Sequence, residues 1–280
     1  MEKSKPNAFV VFFTKLPQLL LAGLLFSFWS ALWMAVSVLT AKVSGFNNIL
    51  VWGLGIIPST VFLPGLVMVI RKYAVEKNYV PVIPTFFGAV RENAKDFIFH
   101  GFVIYLIFAS SFFALLYYFT MAQSDIVFAY VLVIYILFTA VMIIMLFYMP
   151  LMAVTYELRY RDIYKNSLLL IFGRILTNLL TFVMVGVLVG ACVMLLVVTE
   201  GVWRIVCAVL LFAVLPCTLC YIVISMISKG LQENVGSFVP KEAKPVNDLS
   251  QEEQQVVNSA DSDDDYIYVN GKMVKNPNKK

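Results

Sequence analysis

Six long runs of apolar residues constrain this sequence more than any other feature. A helix needs about 20 mostly apolar residues to cross roughly 30 Å of hydrocarbon. The chain is 61% hydrophobic and 14% charged, against about 45–50% and about 25% in soluble domains. We therefore predict an all-α polytopic membrane bundle with six transmembrane helices. The predicted spans are Leu16–Thr40, Ile49–Ile70, Phe97–Thr120, Ile126–Met152, Ile175–Val198 and Val202–Ile227.

The hydrophobic character ends near Lys229, and this divides the chain into two parts. Residues 1–230 are predicted to form the transmembrane domain, and residues 231–280 a polar cytoplasmic tail. The first apolar run follows three lysines, as in a signal peptide. Because it is much longer than the roughly 7–15 residues of a signal-peptide core, we expect it to remain as an uncleaved span.

The distribution of basic residues predicts the orientation of the bundle. Apart from Lys42 and Arg204, every Lys and Arg lies in four segments, namely residues 1–15, 71–96, 153–174 and 229–280. Cytoplasmic loops carry the excess of Lys and Arg in membrane proteins. We therefore predict a multi-pass plasma-membrane protein with both termini in the cytoplasm. Basic flanks of this kind are usual around membrane helices, so no nucleic-acid partner is expected.

The ionisable residues argue against several kinds of chemistry. No Asp or Glu lies in the middle of a predicted span, whereas ion-driven pumps need carboxylates at depth. His100 is the single histidine, which excludes HExxH metal sites and Ser-His triads. It lies near the inner end of its span, where we expect it to reach water. We predict no catalytic residue, no cofactor and no metal site.

Two short motifs in the last two spans each allow two interpretations. Cys217 and Cys220 form a CxxC, which is a redox signature in soluble proteins. A thiolate is disfavoured inside a lipid-embedded helix, so we favour packing. Gly186 and Gly190 form a GxxxG, a spacing that lets helices approach closely. Its partner would be a span of the same chain, which we favour, or of a second copy.

The second span contains two prolines, Pro58 and Pro64. Each proline removes one helical hydrogen bond, so we predict a kink or a local unwinding between Leu54 and Gly65. The neighbouring Ser59 and Thr60 hydroxyls, or adjacent spans, can satisfy the freed backbone groups. A broken helix of this kind lines a solute site in some transporters and bends around a neighbour in other bundles. We favour the second interpretation.

The two longer segments predicted to be cytoplasmic contain candidate partner-binding arginines. A helix capped by Thr85 would carry Arg91, and the segment before the fifth span carries Arg159 and Arg161. Both segments fit interfacial helices that run into the next span, and both also fit solvated connections.

The tail combines a polar stretch with a hairpin signal. Residues 236–265 have few large apolar groups and are predicted to be disordered. In the following YIYVNGKMVK, Asn270-Gly271 is a strong two-residue turn signal between β-formers. The predicted hairpin, residues 266–275, pairs Val269 with Lys272. We interpret it as a recognition element or, alternatively, as part of a solubilising tail. Its candidate partner-binding residues are Tyr266, Tyr268, Asn270 and Gly271.

Three stretches of the chain resemble the YesL family of integral membrane proteins, which occur mainly in Gram-positive bacteria. They are GIIPSTVFLPGL, PTFFGAVRENAKDFIFHGF and RYRDIYKNSLLLIFGRILTNLLTF. The resemblance covers roughly residues 10–230 and rests on the order and spacing of these stretches. It implies a small helical bundle that is often encoded beside carbohydrate-uptake ABC transporters, and it supplies no catalytic residues.

Three functions are compatible with these features. The first is a non-catalytic accessory or regulatory partner of carbohydrate ABC uptake, which would bind transporter subunits or another membrane or cytoplasmic protein. The second is a permease for a neutral solute, with its site at the broken second span. The third is a membrane enzyme that borrows catalytic groups from a partner. We favour the first. In all three functions the chain is embedded in the lipid bilayer, and the oligomeric state stays open.

Overall fold

The computed structural model describes residues 8–234, 266–269 and 272–275, with side chains for residues 10–233. These residues form a helical bundle together with one pair of short strands. The helices are α1 (Ala8–Thr14), α2 (Leu16–Ser44), α3 (Ile49–Gly53), α4 (Ile56–Thr60), α5 (Leu63–Ala74), α6 (Val82–Ala122), α7 (Ile126–Thr155), α8 (Tyr160–Gly173), α9 (Ile175–Val198) and α10 (Gly201–Asn234).

Six helical units among the described residues are long and apolar enough to cross a membrane. They are α2, the broken unit α3 to α5, α6, α7, α9 and α10. Their mean hydropathy is 2.0 to 2.8 over the most apolar window. The predicted fold class is confirmed, and the chain is an integral, multi-pass membrane protein.

The third spanning helix differs from its prediction at the N-terminal end. It begins at Val82, after the extended Pro81, and not near Phe97. Thr85 is not a helix cap, because its backbone N–H already donates to the Pro81 carbonyl. A helix of 41 residues is about 60 Å long, twice the hydrocarbon thickness. The predicted interfacial helix is therefore the continuous extension of the third span.

The segment before the fifth span forms a separate helix, α8, as predicted. The chain leaves the helical conformation at Arg174, where φ is −134° and ψ is 42°, and α9 then begins at Ile175. Asn178 joins the two helices across this break. Its side-chain amide donates to the carbonyls of Leu170 and Ile171, each at 3.0 Å.

The core lies at the end of the bundle where α5 ends, α6 begins and α8 packs. We call this the basic end, and it carries Arg71, Lys72, Arg91, Arg159, Arg161 and Arg174. Its fully buried side chains include Ile70, Tyr73, Phe86, Phe97, Tyr148 and Met152. At the opposite end the helices expose large apolar side chains, which is compatible with lipid because lipid tails are as apolar as leucine.

The GxxxG of α9 is not packed against another helix of the described bundle. A Cβ atom added at Gly186 or at Gly190 would have no atom within 4 Å. The interpretation that this motif packs within the chain is therefore wrong. The buried residues of α9 are Asn178 and Thr181, both in its first two turns, and Phe182 packs against the core beside them.

The two strands β1 (Tyr266–Val269) and β2 (Lys272–Lys275) pair antiparallel. Their register is the one that the sequence predicts for residues 266–275. The opposed residues are Val269 and Lys272, Tyr268 and Met273, Ile267 and Val274, and Tyr266 and Lys275. The predicted turn residues Asn270 and Gly271, and the predicted disordered stretch 236–265, lie outside the described residues.

Candidate functional site

The second span is broken at two points, as the prolines predict. Its helical segments end at Gly53 and Thr60 and resume at Ile56 and Leu63. Pro58 cannot donate to the Leu54 carbonyl, and this carbonyl instead accepts from the Ile57 N–H at 3.2 Å. At the second interruption the Val61 N–H donates to the Pro58 carbonyl at 3.3 Å, and this hydrogen bond also joins residues three positions apart. Three-residue turns therefore replace the regular helix at both interruptions.

Side-chain hydroxyls from two helices satisfy carbonyls around these breaks. The Ser37 hydroxyl of α2 lies 2.6 Å from the Trp52 carbonyl oxygen. Within the break, the Ser59 hydroxyl donates to the Gly55 carbonyl at 2.7 Å. The Thr60 hydroxyl lies 3.0 Å from the Phe97 carbonyl oxygen of α6. These contacts are the kind that allow prolines in membrane helices.

The candidate residues of the broken span are packed against protein. Ser59 and Thr60 are each 7% exposed, and Pro64 is also buried. On α6, a Cβ added at Gly101 would lie 2.7 Å from the Ile57 carbonyl oxygen and would clash with the Thr60 hydroxyl. The break thus lets α4 approach α6 backbone to backbone. This geometry supports the structural interpretation of the prolines.

His100 is completely buried, and the expectation that it reaches water is wrong. Its Nδ1 lies 2.7 Å from the Tyr164 hydroxyl of α8. Burial raises the pKa of Tyr164, so this hydroxyl remains protonated at neutral pH. The rings of Phe97, Phe99 and Tyr160 surround the imidazole at 5.4 to 6.2 Å between centroids. The histidine therefore belongs to the packing of α8 on α6.

The structure places the three candidate arginines at one end of the bundle. Arg91, Arg159 and Arg161 are all exposed. The Tyr160 hydroxyl donates to Asp96 Oδ1 at 2.8 Å and so joins the start of α8 to α6. This hydrogen bond raises the pKa of Tyr160. The arginines thus flank the junction of α6 with α8 and form an exposed arginine surface, beside the exposed Glu92 and Glu157.

The remaining candidate residues lie in or beside the strand pair. Tyr266 and Tyr268 are in β1, where the structure gives their backbone pairing. Asn270 and Gly271 lie outside the described residues.

An apolar cavity that the sequence does not reveal lies between α5, α7, α9 and α10. Its volume is about 370 Å³, and it is partly open at the surface of the bundle. Pro150 and Pro216 line it together with Val185, Cys220 and other apolar residues. Both prolines lie inside continuous helices, and their positions in the spans are the sequence signal that could have indicated a cavity.

The described residues offer few groups for chemistry. They contain no cluster of three or more His, Cys, Asp or Glu residues that could hold a metal ion. All four cysteines lie in α9 and α10, and all are free thiols. Comparisons of the chain with protein families, with curated proteins and with solved structures gave no match.

Proposed function

We propose that the chain is a non-catalytic accessory or regulatory subunit of carbohydrate ABC uptake in a Gram-positive plasma membrane. The observation that carries the proposal is the exposed arginine surface of Arg91, Arg159 and Arg161 beside the α6–α8 junction. Exposed guanidinium groups suit carboxylates on the face of a transporter subunit. The resemblance to the YesL family suggests the kind of transporter.

The permease alternative receives less support. The Ser59 and Thr60 hydroxyls are bonded to carbonyl oxygens, so they are not available to a solute. The cavity beside Pro150 is lined by apolar side chains, whereas a neutral sugar needs hydrogen-bonding groups.

An enzyme that borrows groups from a partner would need acid or base residues at the contact. Arg91, Arg159 and Arg161 are poor candidates for these roles because arginine stays protonated.

The test is affinity purification of the full-length chain from native membranes, with partners identified by mass spectrometry. We expect the permease and ATPase subunits of one carbohydrate ABC system to co-purify. A variant carrying Arg91→Glu, Arg159→Glu and Arg161→Glu should recover about tenfold less of them, because exposed charge pairs contribute up to about 1 kcal/mol each.

The matched control is Lys42→Glu, an exposed charge reversal in the last turn of α2, away from the arginine surface. This variant should recover the same subunits as the unaltered protein. Equal recovery by the triple variant, or the absence of any transporter subunit from the unaltered purification, would contradict the proposal.

A further inference from the structure

The cavity between α5, α7, α9 and α10 has the character of a hydrocarbon-binding site. Every lining residue is apolar, and the lining comes from α2 as well as from these four helices. A cavity of this composition gives water no hydrogen-bonding partner and is filled by apolar groups. Because it is partly open at the bundle surface, a chain of the surrounding lipid can enter it.

The helices that line the cavity lead to cations at the basic end. On α5, Arg71 follows Val67 by one turn on the same face. Arg174 immediately precedes α9, and the cavity residue Val185 lies 10 positions after Ile175, which is about 15 Å along the helix axis. This distance is close to half of the roughly 30 Å hydrocarbon thickness. The cations therefore lie where the headgroup of a lipid would be if its acyl chain occupied the cavity.

Among the residues that the structure describes, each of these two positions carries more positive than negative charge. Glu76 lies 2.8 Å from Arg71 and 3.1 Å from Lys72, so one carboxylate faces two cations. Arg174 forms an ion pair with Glu233, and the exposed Lys229 lies one turn before Glu233 on α10. A net positive rim above an apolar cavity is complementary to an anionic lipid and not to a zwitterionic one.

We propose that the cavity binds an acyl chain of an anionic membrane phospholipid, whose phosphate lies between Arg71 and Arg174. The binding site is distinct from the Arg91–Arg161 surface and does not depend on the accessory function.

The test uses the full-length protein in phosphatidylcholine nanodiscs that contain a trace of phosphatidylglycerol with a photoactivatable diazirine in its acyl chain. After illumination, mass spectrometry locates the labelled residues. We expect adducts on cavity residues such as Val185 and Cys220. A phosphatidylcholine probe should label them at least about fivefold less, because each basic residue contributes about 1 kcal/mol of attraction to anionic lipid.

Two matched pairs of variants separate the cavity from its surroundings. Val185→Trp places an indole ring in the cavity and should lower this labelling about tenfold, whereas Val187→Trp, on the opposite and 66% exposed face of α9, should leave it unchanged. Arg174→Gln should reduce the preference for the anionic probe about fivefold, and Arg174→Lys should retain it. Thermal unfolding of each variant checks that it is folded.

Three outcomes would overturn the proposal. They are unchanged labelling of Cys220 in folded Val185→Trp protein, equal labelling by the two lipid probes, and cross-links from the cavity to a second copy of the chain in place of lipid.

Discussion

Replacing Asn178 by leucine should destabilise the bundle by about 2–3 kcal/mol. The Asn178 side chain is 1% exposed. It accepts from the Tyr148 hydroxyl at 2.6 Å and donates to the carbonyls of Leu170 and Ile171 at 3.0 Å. The Leu170 carbonyl keeps a bond from the Arg174 N–H. The substitution therefore deprives the Tyr148 hydroxyl and the Ile171 carbonyl of this partner, at about 1–1.5 kcal/mol each.

The assay is reversible unfolding in detergent micelles, followed by tryptophan fluorescence. Tyr148→Phe removes one of the three bonds and should lower the free energy of unfolding by about 1 kcal/mol. The double variant should be less destabilised than the sum of the two single variants, because they share that bond. Asn166→Leu, at a partly exposed asparagine of α8, is the control and should change stability by less than about 0.5 kcal/mol. A similarly small effect of Asn178→Leu would refute the reasoning.

Three further predictions concern the close packing of α4, the orientation and the tail. Gly101→Leu should prevent correct folding, measured as loss of monodisperse protein, because its Cβ would meet the Ile57 carbonyl at 2.7 Å; normal yield and stability would contradict the packing. In a cysteine-free background, a membrane-impermeant thiol reagent added to intact cells should label Asp125→Cys but not Arg91→Cys, and the reverse would refute the orientation. Deletion of residues 260–280 should leave membrane insertion intact and reduce partner recovery; unchanged recovery would show that the tail is not a recognition element.

The spans and the break in α3 to α5 are predictable because their causes are local in sequence. A run of about 20 apolar residues has few alternatives to a membrane helix. Pro58 and Pro64 each remove a donor whatever the rest of the fold does. The hairpin register also follows from neighbouring residues, since a two-residue turn fixes which strand positions oppose each other.

The features that the sequence did not predict depend on residues far apart in the chain. Pro150 and Pro216 lie inside continuous helices, so the same residue type gives different outcomes in different spans. His100 is buried through its contact with Tyr164, 64 positions away. The cavity needs residues from five helices. The sequence does not reveal the N-terminal extension of α6, because Thr85 resembles a cap, whereas Pro81 precedes the helix and Pro84 is compatible with its first turn.

The central claim is that the proline break of the second span is a packing device sealed by hydroxyl–carbonyl contacts, and not a solute pathway. Thiol labelling of Thr60→Cys in native membranes tests it most directly, with the exposed Arg91→Cys as the positive control and both in a cysteine-free background. Inside-out vesicles present the side of the membrane to which Arg91 is assigned. We predict that a water-soluble maleimide labels Arg91→Cys in these vesicles and labels Thr60→Cys from neither side of the membrane. Labelling of Thr60→Cys in folded protein, reduced by a neutral sugar, would contradict the claim and favour a permease.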